Sequence, residues 1–370
     1  MRTIGRLLSD AVARSPDAVY LIAGEEEYSF QEFRDRSVAA ALALWAGGVT
    51  RSGRVAVVAD NDPRFLFTWF GLSLMGATLI PLDPSATSAE MAGLVRRADP
   101  HSVVVDEAHM AKAGDAVAEA NVGCDLHSLT DITPAWPVPT MEDHATPGDV
   151  ALMLPTSGTT SASKLVMQTH RGMVLAGEGF PWWIGLQPSD RVLAALPLFH
   201  LNALAYSTLG ALSVGASLVL LPRFSASRFL SQARYYRATQ FNSVGALLEI
   251  LMRQPERSDD ADNPLRLCYA APAPPTRQRH LQIERRFGFE ITAGYALSET
   301  PYGTIWPRAA EQRPYGSLGK LRQHPELGEI NEGKVVDEAG AEVRPGDVGE
   351  LFLRNPAVMA GYFGMETETK

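Results

Sequence analysis

The chain has 370 residues, 46% of them apolar and 20% charged, with a formal net charge of -9. That balance describes a folded globular protein, and its acidic excess argues against broad nucleic-acid binding while leaving room for a small basic pocket. Its two cysteines, Cys124 and Cys268, and its eight histidines have no metal-ligand spacing, so neither a zinc site nor a disulfide framework is expected, as suits a cytoplasmic protein.

The opening stretch MRTIGRLLSDAVARSPDA lacks an apolar core followed by a cleavage site and reads as an amphipathic helix. Next comes RVAVVAD (54–60), a β-branched run of strand length. The uncharged segment FLFTWFGLSLMGATLIPL (65–82) approaches the length of a membrane span, but Gly71, Gly76 and Pro81 divide it. It therefore predicts a buried helix followed by a buried strand, ATLIPLD (77–83). SVVVDE (102–107) and DVALMLP (149–155) are further strands, the latter preceded by the polar, turn-rich connection TMEDHATPGDV. RVLAALP, ASLVLLP, TQFNSVG, LRLCYAA and FEITAGYA follow, alternating with helical stretches such as SASRFLSQARYYR. Strands alternating with helices predict an α/β fold with parallel strands and crossover helices up to about residue 315. From about Pro314 short runs separated by EAG and RPGD turns predict a small antiparallel β subdomain over 316–370.

The segment Thr156-Ser157-Gly158-Thr159-Thr160-Ser161-Ala162-Ser163-Lys164 follows a strand directly. It combines hydroxyl donors, a glycine that lets backbone approach a ligand, and one cation, which are the parts of a polyphosphate grip. It is not a Walker A loop, because the second glycine is missing and Leu165, not Ser or Thr, follows the lysine. By itself such a loop is more often a flexible connector than a phosphate site. The same holds for Tyr295 and Glu299 in YALSET, which by themselves fit a core aromatic and a solvated loop residue.

Taken in order, GLSLMGATLIPLDP (71–84), the loop, PLFHLNAL (197–204), GYALSET (294–300) and GELFLRNPAVMAGYFGMETET resemble five segments of the adenylate-forming superfamily, which includes acyl-CoA synthetases, luciferases and peptide-synthetase adenylation domains. The resemblance spans essentially the whole chain. It implies an N-terminal AMP-binding domain of acyl-CoA synthetase type over 1–370, with two stacked, mostly parallel α/β subdomains and a β-rich end. It also implies ATP-dependent conversion of a carboxylic acid to an acyl-adenylate, then transfer to coenzyme A, with Mg²⁺ as the metal.

By this resemblance Thr156, Ser157, Gly158, Thr159, Thr160 and Lys164 hold the β- and γ-phosphates. Tyr295 faces adenine, Ser298 the α-phosphate and Glu299 the Mg²⁺, while Ala270, Ala271 and Pro272 of YAAPAP wall the nucleotide pocket. Thr156, Lys164 and Glu299 carry the chemistry, and His200, Val244, Gly245, Gly294, Ala296 and Leu297 border the acyl group. Phe199 and His200 stand where amino-acid-activating relatives carry an aspartate, so a free α-amino acid is not the expected substrate. His200 is not needed as a general base, because a carboxylic acid is already ionised at neutral pH. Trp182 and Trp183 are candidates to cap the acyl pocket, one of them belonging to the core because adjacent helical residues diverge.

The chain departs from the family in the loop, where Ser161, Ser163 and Leu165 replace Gly, Pro and Gly, and at Ala296, which replaces a glycine and is expected to narrow the acyl pocket. The resemblance further implies that the C-terminal lid carrying the adenylation lysine is absent before Lys370, and slow turnover follows as an expectation. Two alternatives stay open: loading of an acyl carrier protein instead of coenzyme A, and a non-catalytic sensor of acyl-adenylate.

Overall fold

The structure, a computed structural model, describes residues 2–132, 141–156, 163–308 and 312–369. The run RVAVVAD forms the strand Arg54–Val58, paired in parallel with Thr78–Leu82 on one side and Ser102–Val105 on the other. Val55 and Val57 enter the larger hydrophobic core, whereas Ala56 and Val58 enter a second, smaller one. Both faces of the strand are thus covered, which is why its sequence is apolar throughout instead of alternating.

Two sheets organise the described chain. The first has seven strands in the order Gly361–Tyr362, Leu165–Thr169, Val150–Pro155, Thr78–Leu82, Arg54–Val58, Ser102–Val105 and Asp125–Ser128. Its first two joints are antiparallel and the rest parallel. The second has nine, in the order Lys320–Leu321, Thr304–Ile305, Glu290–Tyr295, Leu267–Ala270, Gln240–Ser243, Arg191–Ala194, Ser217–Leu220, Val19–Ala23 and Glu26–Ser29. Its six central strands are all parallel. The α/β class expected from the sequence is the class observed.

The uncharged stretch divides as its glycines predict. Asp62 caps the helix Pro63–Met75 by accepting from the Arg64 amide, and Gly76 ends it in the left-handed conformation, at φ 71°. Every residue from Phe65 to Met75 is buried. Gly71 lies against the helix Phe30–Ala46, and a Cβ there would stand 2.8 Å from the Ser37 carbonyl oxygen, so glycine permits the close approach. Among the described residues no helix is long and apolar enough to cross a membrane.

After residue 315 the chain is antiparallel, as its turns suggest, but among its described strands only Glu332–Val336 and Glu350–Arg354 pair with each other. Lys320–Leu321 extends the nine-stranded sheet and Gly361–Tyr362 the seven-stranded one. The two sheets are therefore stitched together by this segment. A single helical turn, Glu366–Thr369, which the turn-rich sequence does not announce, packs behind the last strand.

Candidate active site

The strand before the hydroxyl-rich loop does not lead into a helix. Val150–Pro155 turns back as Leu165–Thr169, so the loop tips an antiparallel hairpin. At its base the Thr156 amide donates to the Lys164 carbonyl (2.9 Å), and the Lys164 amide donates to Thr156 Oγ1 (3.1 Å). Thr156 and Lys164 are thereby held side by side. Ser157, Gly158, Thr159 and Thr160 lie outside the described residues, as do Ser161 and Ala162.

The remaining site residues come from the carboxyl ends of neighbouring parallel strands, the edge where α/β sheets present ligands. Ser243, Ala270 and Ala293 are in register on three adjacent strands. Val244 and Gly245, Ala271 and Pro272, and Gly294 to Ala296 accordingly follow these positions side by side, Gly294 and Tyr295 still paired with Thr304–Ile305 and Ala296 the first residue past the strand. The Ala271 amide donates to the Ser243 carbonyl (3.1 Å), and a Cβ on Gly245 would meet Pro272 at 3.6 Å, which ties the adenine-wall turn to the expected acyl wall. Val244 and Leu297 are 40% and 44% exposed, so both are available for contact.

Leu297 and Thr300 close a tight turn with two backbone hydrogen bonds of 3.1 and 3.2 Å, presenting Ser298 and Glu299 at its tip. This turn is fastened to the other sheet at three points. Gln168 Nε2 donates to the Ser298 carbonyl (2.7 Å), the Met359 amide donates to the Glu299 carbonyl (2.7 Å), and the Tyr362 hydroxyl donates to Glu299 Oε1 (2.8 Å). Lys164 Nζ in turn lies 4.5 Å from the centre of the Tyr362 ring. Lys164 and Glu299, remote in sequence, thus both contact one tyrosine, and Ser298 is held next to Glu299 by Gln168.

Gly294 was expected to border the acyl group. A Cβ there would instead meet the Thr304 carbonyl oxygen at 2.5 Å, Arg322 Nη2 at 3.0 Å and Tyr269 Oη at 3.1 Å, so packing alone demands a glycine at this position. Arg322 is fully buried and carries much of that packing. Its Nη1 donates to the Tyr206 hydroxyl (2.5 Å) and the Pro301 carbonyl (2.7 Å), Nη2 to the Tyr269 hydroxyl (2.5 Å), and Nε to the Thr304 carbonyl (3.0 Å). Tyr206 belongs to the π-helical turn Asn202–Thr208 that follows His200, and Tyr269 precedes Ala270. One guanidinium therefore joins the three segments that carry the expected site. The ring of Trp183 lies over it, at 4.5 Å, while Trp182 is 47% exposed; the adjacent tryptophans diverge, and Trp183 is core.

His200 is placed by Asn61. This buried amide donates to the carbonyls of Leu196 (3.1 Å) and Leu221 (3.0 Å) and accepts from the Leu198 amide (2.8 Å), so it joins the end of the Arg54–Val58 strand to the PLFH segment of the other sheet. A cavity of about 660 Å³ opens beside it, lined by Asp83, Arg97, Thr156, Ser163, Phe199 and His200 among others. His200 meets the solvent of this cavity, yet protein surrounds it closely enough that burial lowers its pKa, Asp83 offsetting part of the effect. It is neutral at physiological pH. Arg97 donates to the Ser163 carbonyl and braces the loop from the cavity side. Of the six residues expected to border the acyl group, His200 lines this cavity, and the other five follow the sheet edge.

The metal expectation can be tested on donor chemistry. Among the described residues no group of three His, Cys, Asp or Glu side chains could enclose an ion. Glu299, with Oε1 occupied by Tyr362, fits a hard cation that takes one carboxylate and completes its shell with phosphate and water, which is the habit of Mg²⁺. Gln168, Asn61 and Arg322, and the role of Tyr362 within the fifth segment, escape the sequence reading because their partners lie far away along the chain.

A family model described as AMP-binding enzyme matches residues 8–363. The chain is 28% identical over 346 residues to a crotonobetaine/carnitine–CoA ligase of Proteus mirabilis (strain HI4320), covering 89% of this chain and 65% of that protein. It is 28% identical over 345 residues to the corresponding ligase of Escherichia coli O139:H28 (strain E24377A / ETEC), covering 88% of this chain and 65% of that one. The chain thus spans just under two thirds of the length of these relatives. A benzoate CoA ligase from Burkholderia xenovorans LB400 superimposes with a TM-score of 0.88 at 21% identity, over 100% of this chain and 73% of that one. The inhibitor-bound N-terminal domain of FACL13 from Mycobacterium tuberculosis gives 0.87 at 22% identity, over 98% and 92%. These two structures share its fold.

Proposed function

The chain belongs to the family of AMP-binding enzymes, and from that premise we propose that it activates a carboxylic acid with ATP and passes the acyl group to coenzyme A. The observation that carries the proposal is that Lys164 and Glu299 both contact Tyr362, while Gln168 of the loop hairpin holds the Ser298 carbonyl beside them. A lone phosphate-binding loop would not need the carboxylate there, and a structural turn would not need the cation.

In the reaction, a substrate carboxylate oxygen bonds to the α-phosphorus while the bond from that phosphorus to the bridging oxygen breaks, releasing pyrophosphate. Thr156, Lys164 and the hydroxyls between them offset the charge growing on the leaving group, and donors fixed in advance are worth more than donors recruited during the step. Ser298 addresses the α-phosphate, and Tyr295 with the Ala270–Ala271–Pro272 turn holds the adenine. Glu299 would hold Mg²⁺, which supplies further neutralisation of phosphate charge when bound. In the second step a thiol sulfur bonds to the acyl carbon, the carbon–oxygen bond of the acyl–phosphate mixed anhydride breaks, AMP leaves, and the thiol proton passes to solvent. The cavity beside neutral His200 is large enough for a small acyl chain or the arm of a thiol acceptor.

The curated relatives make quaternary-ammonium acids the first members of a substrate panel. The test is acid-dependent exchange of labelled pyrophosphate into ATP across that panel, with short aliphatic and aromatic acids alongside, followed by assay for a CoA thioester. Exchange with at least one acid is expected. ATP binding without exchange for any acid would favour the sensor, and dependence on a carrier protein instead of CoA would move the acceptor.

A further inference from the structure

We propose that Tyr362 is a positioning residue that keeps the Lys164 cation and the Glu299 carboxylate close together yet unpaired, so that each meets the nucleotide and its metal with its charge uncompensated. The inference rests on the functional reading above. Its observations are geometric. Tyr362 lies on the edge strand Gly361–Tyr362, in register with Val166 on the strand that begins beside Lys164. The Phe363 amide donates to the Leu165 carbonyl (2.9 Å) and the Ala360 amide to the Met167 carbonyl (2.8 Å), so backbone bonds on both sides fix the tyrosine. Gly361, at φ 140°, allows this strand to lie on the last helical turn, where a Cβ would stand 2.6 Å from Thr369.

From that position the ring offers two different surfaces. Its face, which carries the negative side of the aromatic quadrupole, lies 4.5 Å from Lys164 Nζ. Its edge carries the hydroxyl, which donates to Glu299 Oε1 at 2.8 Å. A lysine and a glutamate this close would otherwise satisfy each other, and a direct ion pair would have to break before phosphate or metal could bind. Tyr362 contacts both side chains and gives each charge a neutral partner. The hydrogen bond also leaves Oε2 of Glu299 free and fixes the carboxylate plane, the task that outer hydrogen-bond partners perform for metal-binding carboxylates.

The experiment compares the intact chain with Tyr362→Phe, which keeps the ring and loses the hydroxyl, and Tyr362→Leu, which loses both. ATP affinity is measured by calorimetry without divalent ion and across a Mg²⁺ series, together with the thermal unfolding midpoint. Tyr362→Phe should leave the unfolding midpoint and the metal-free affinity for ATP unchanged, while raising the Mg²⁺ needed for half-maximal enhancement by about 10- to 100-fold. Tyr362→Leu should in addition weaken metal-free binding, because Lys164 loses its seat and can close onto Glu299. An unchanged Mg²⁺ requirement in Tyr362→Phe overturns the proposal, and so does a parallel loss of both affinities with a lower midpoint, which marks a merely structural role. If the wild-type chain binds no ATP with or without Mg²⁺, the functional reading itself falls, and this inference falls with it.

Discussion

Replacing Arg322 offers a sharp test of how the site is held, because charge and hydrogen bonding pull in opposite directions there. Its guanidinium is completely buried and spends four donor contacts on Tyr206, Tyr269, Pro301 and Thr304, and no carboxylate ranks among the groups acting on it. Arg322→Lys keeps the cation but gathers its donors on one nitrogen, which cannot reach acceptors spread around a planar fork. Each lost bond to a charged group costs about 1.5–3 kcal/mol, and the remaining charge stays desolvated, so a loss of roughly 3–5 kcal/mol is expected. Arg322→Met removes the charge together with the bonds. The Tyr206 hydroxyl still donates to the Pro301 carbonyl at 2.6 Å, so that acceptor is not orphaned. The expected loss is about 1–3 kcal/mol, with the conservative replacement the more damaging one.

A pH dependence separates the two variants further. A buried lysine has its pKa lowered, so between its folded pKa and an unfolded value of about 10.4 the unfolded chain binds more protons. Stability of Arg322→Lys must then rise with pH by up to about 1.4 kcal/mol per unit in that window, whereas Arg322→Met lacks the effect. Urea unfolding at about pH 7 and about pH 9 measures both quantities. If Arg322→Lys matches the wild type, or is more stable than Arg322→Met at the lower pH, the account of Arg322 as a buried charge sustained by its forked hydrogen bonds and the rings around it is wrong.

Three more predictions concern a buried histidine and two small residues at the site. Burial holds the His170 imidazole at about 4, with Asp143 and Asp149 pulling weakly upward. Because the folded pKa lies below the unfolded one, His170 favours the fold fully above about 6.5, and up to roughly 3 kcal/mol is lost as pH falls toward 4. Urea midpoints should therefore drop between about pH 7.5 and about pH 5 in the wild type and drop less in His170→Gln; equal drops would exclude this histidine as a cause. At the site, Gly294→Ala must push against the Thr304 carbonyl and lower stability by about 1–3 kcal/mol in thermal unfolding, whereas Ala296→Gly, two residues on, should widen the range of acids that support pyrophosphate exchange. An unchanged acid profile would show that the Ala296 methyl does not bound the pocket.

The contrast between Gly294 and Ala296 also shows what the sequence could and could not convey. The parallel strands were legible because burial on both faces writes itself locally, as in Val55 to Val58, and the uncharged helix announced its end through Gly76. Short polar strands such as Asp125–Ser128 and Glu26–Ser29 carry no such pattern, since neighbours supply the pairing that makes them strands. Motif order pointed to Lys164, Ser298 and Glu299, but not to what arranges them. The arranging contacts are polar and distant: Asn61 with Leu198 across 137 residues, Gln168 with Ser298 across 130, Arg322 with Tyr206 across 116, Tyr362 with Glu299 across 63. An isolated Asn, Gln, Arg or Tyr in a sequence reads as surface until the fold buries it or supplies its partner. These four lie where the two sheets, or segments leaving one sheet, must keep a fixed distance, and a hydrogen bond fixes distance and direction where apolar packing fixes mainly volume. The expected chemistry of the site is therefore written in its motifs, and its geometry in residues outside them, or in one such as Tyr362 that a motif contains without saying what it touches.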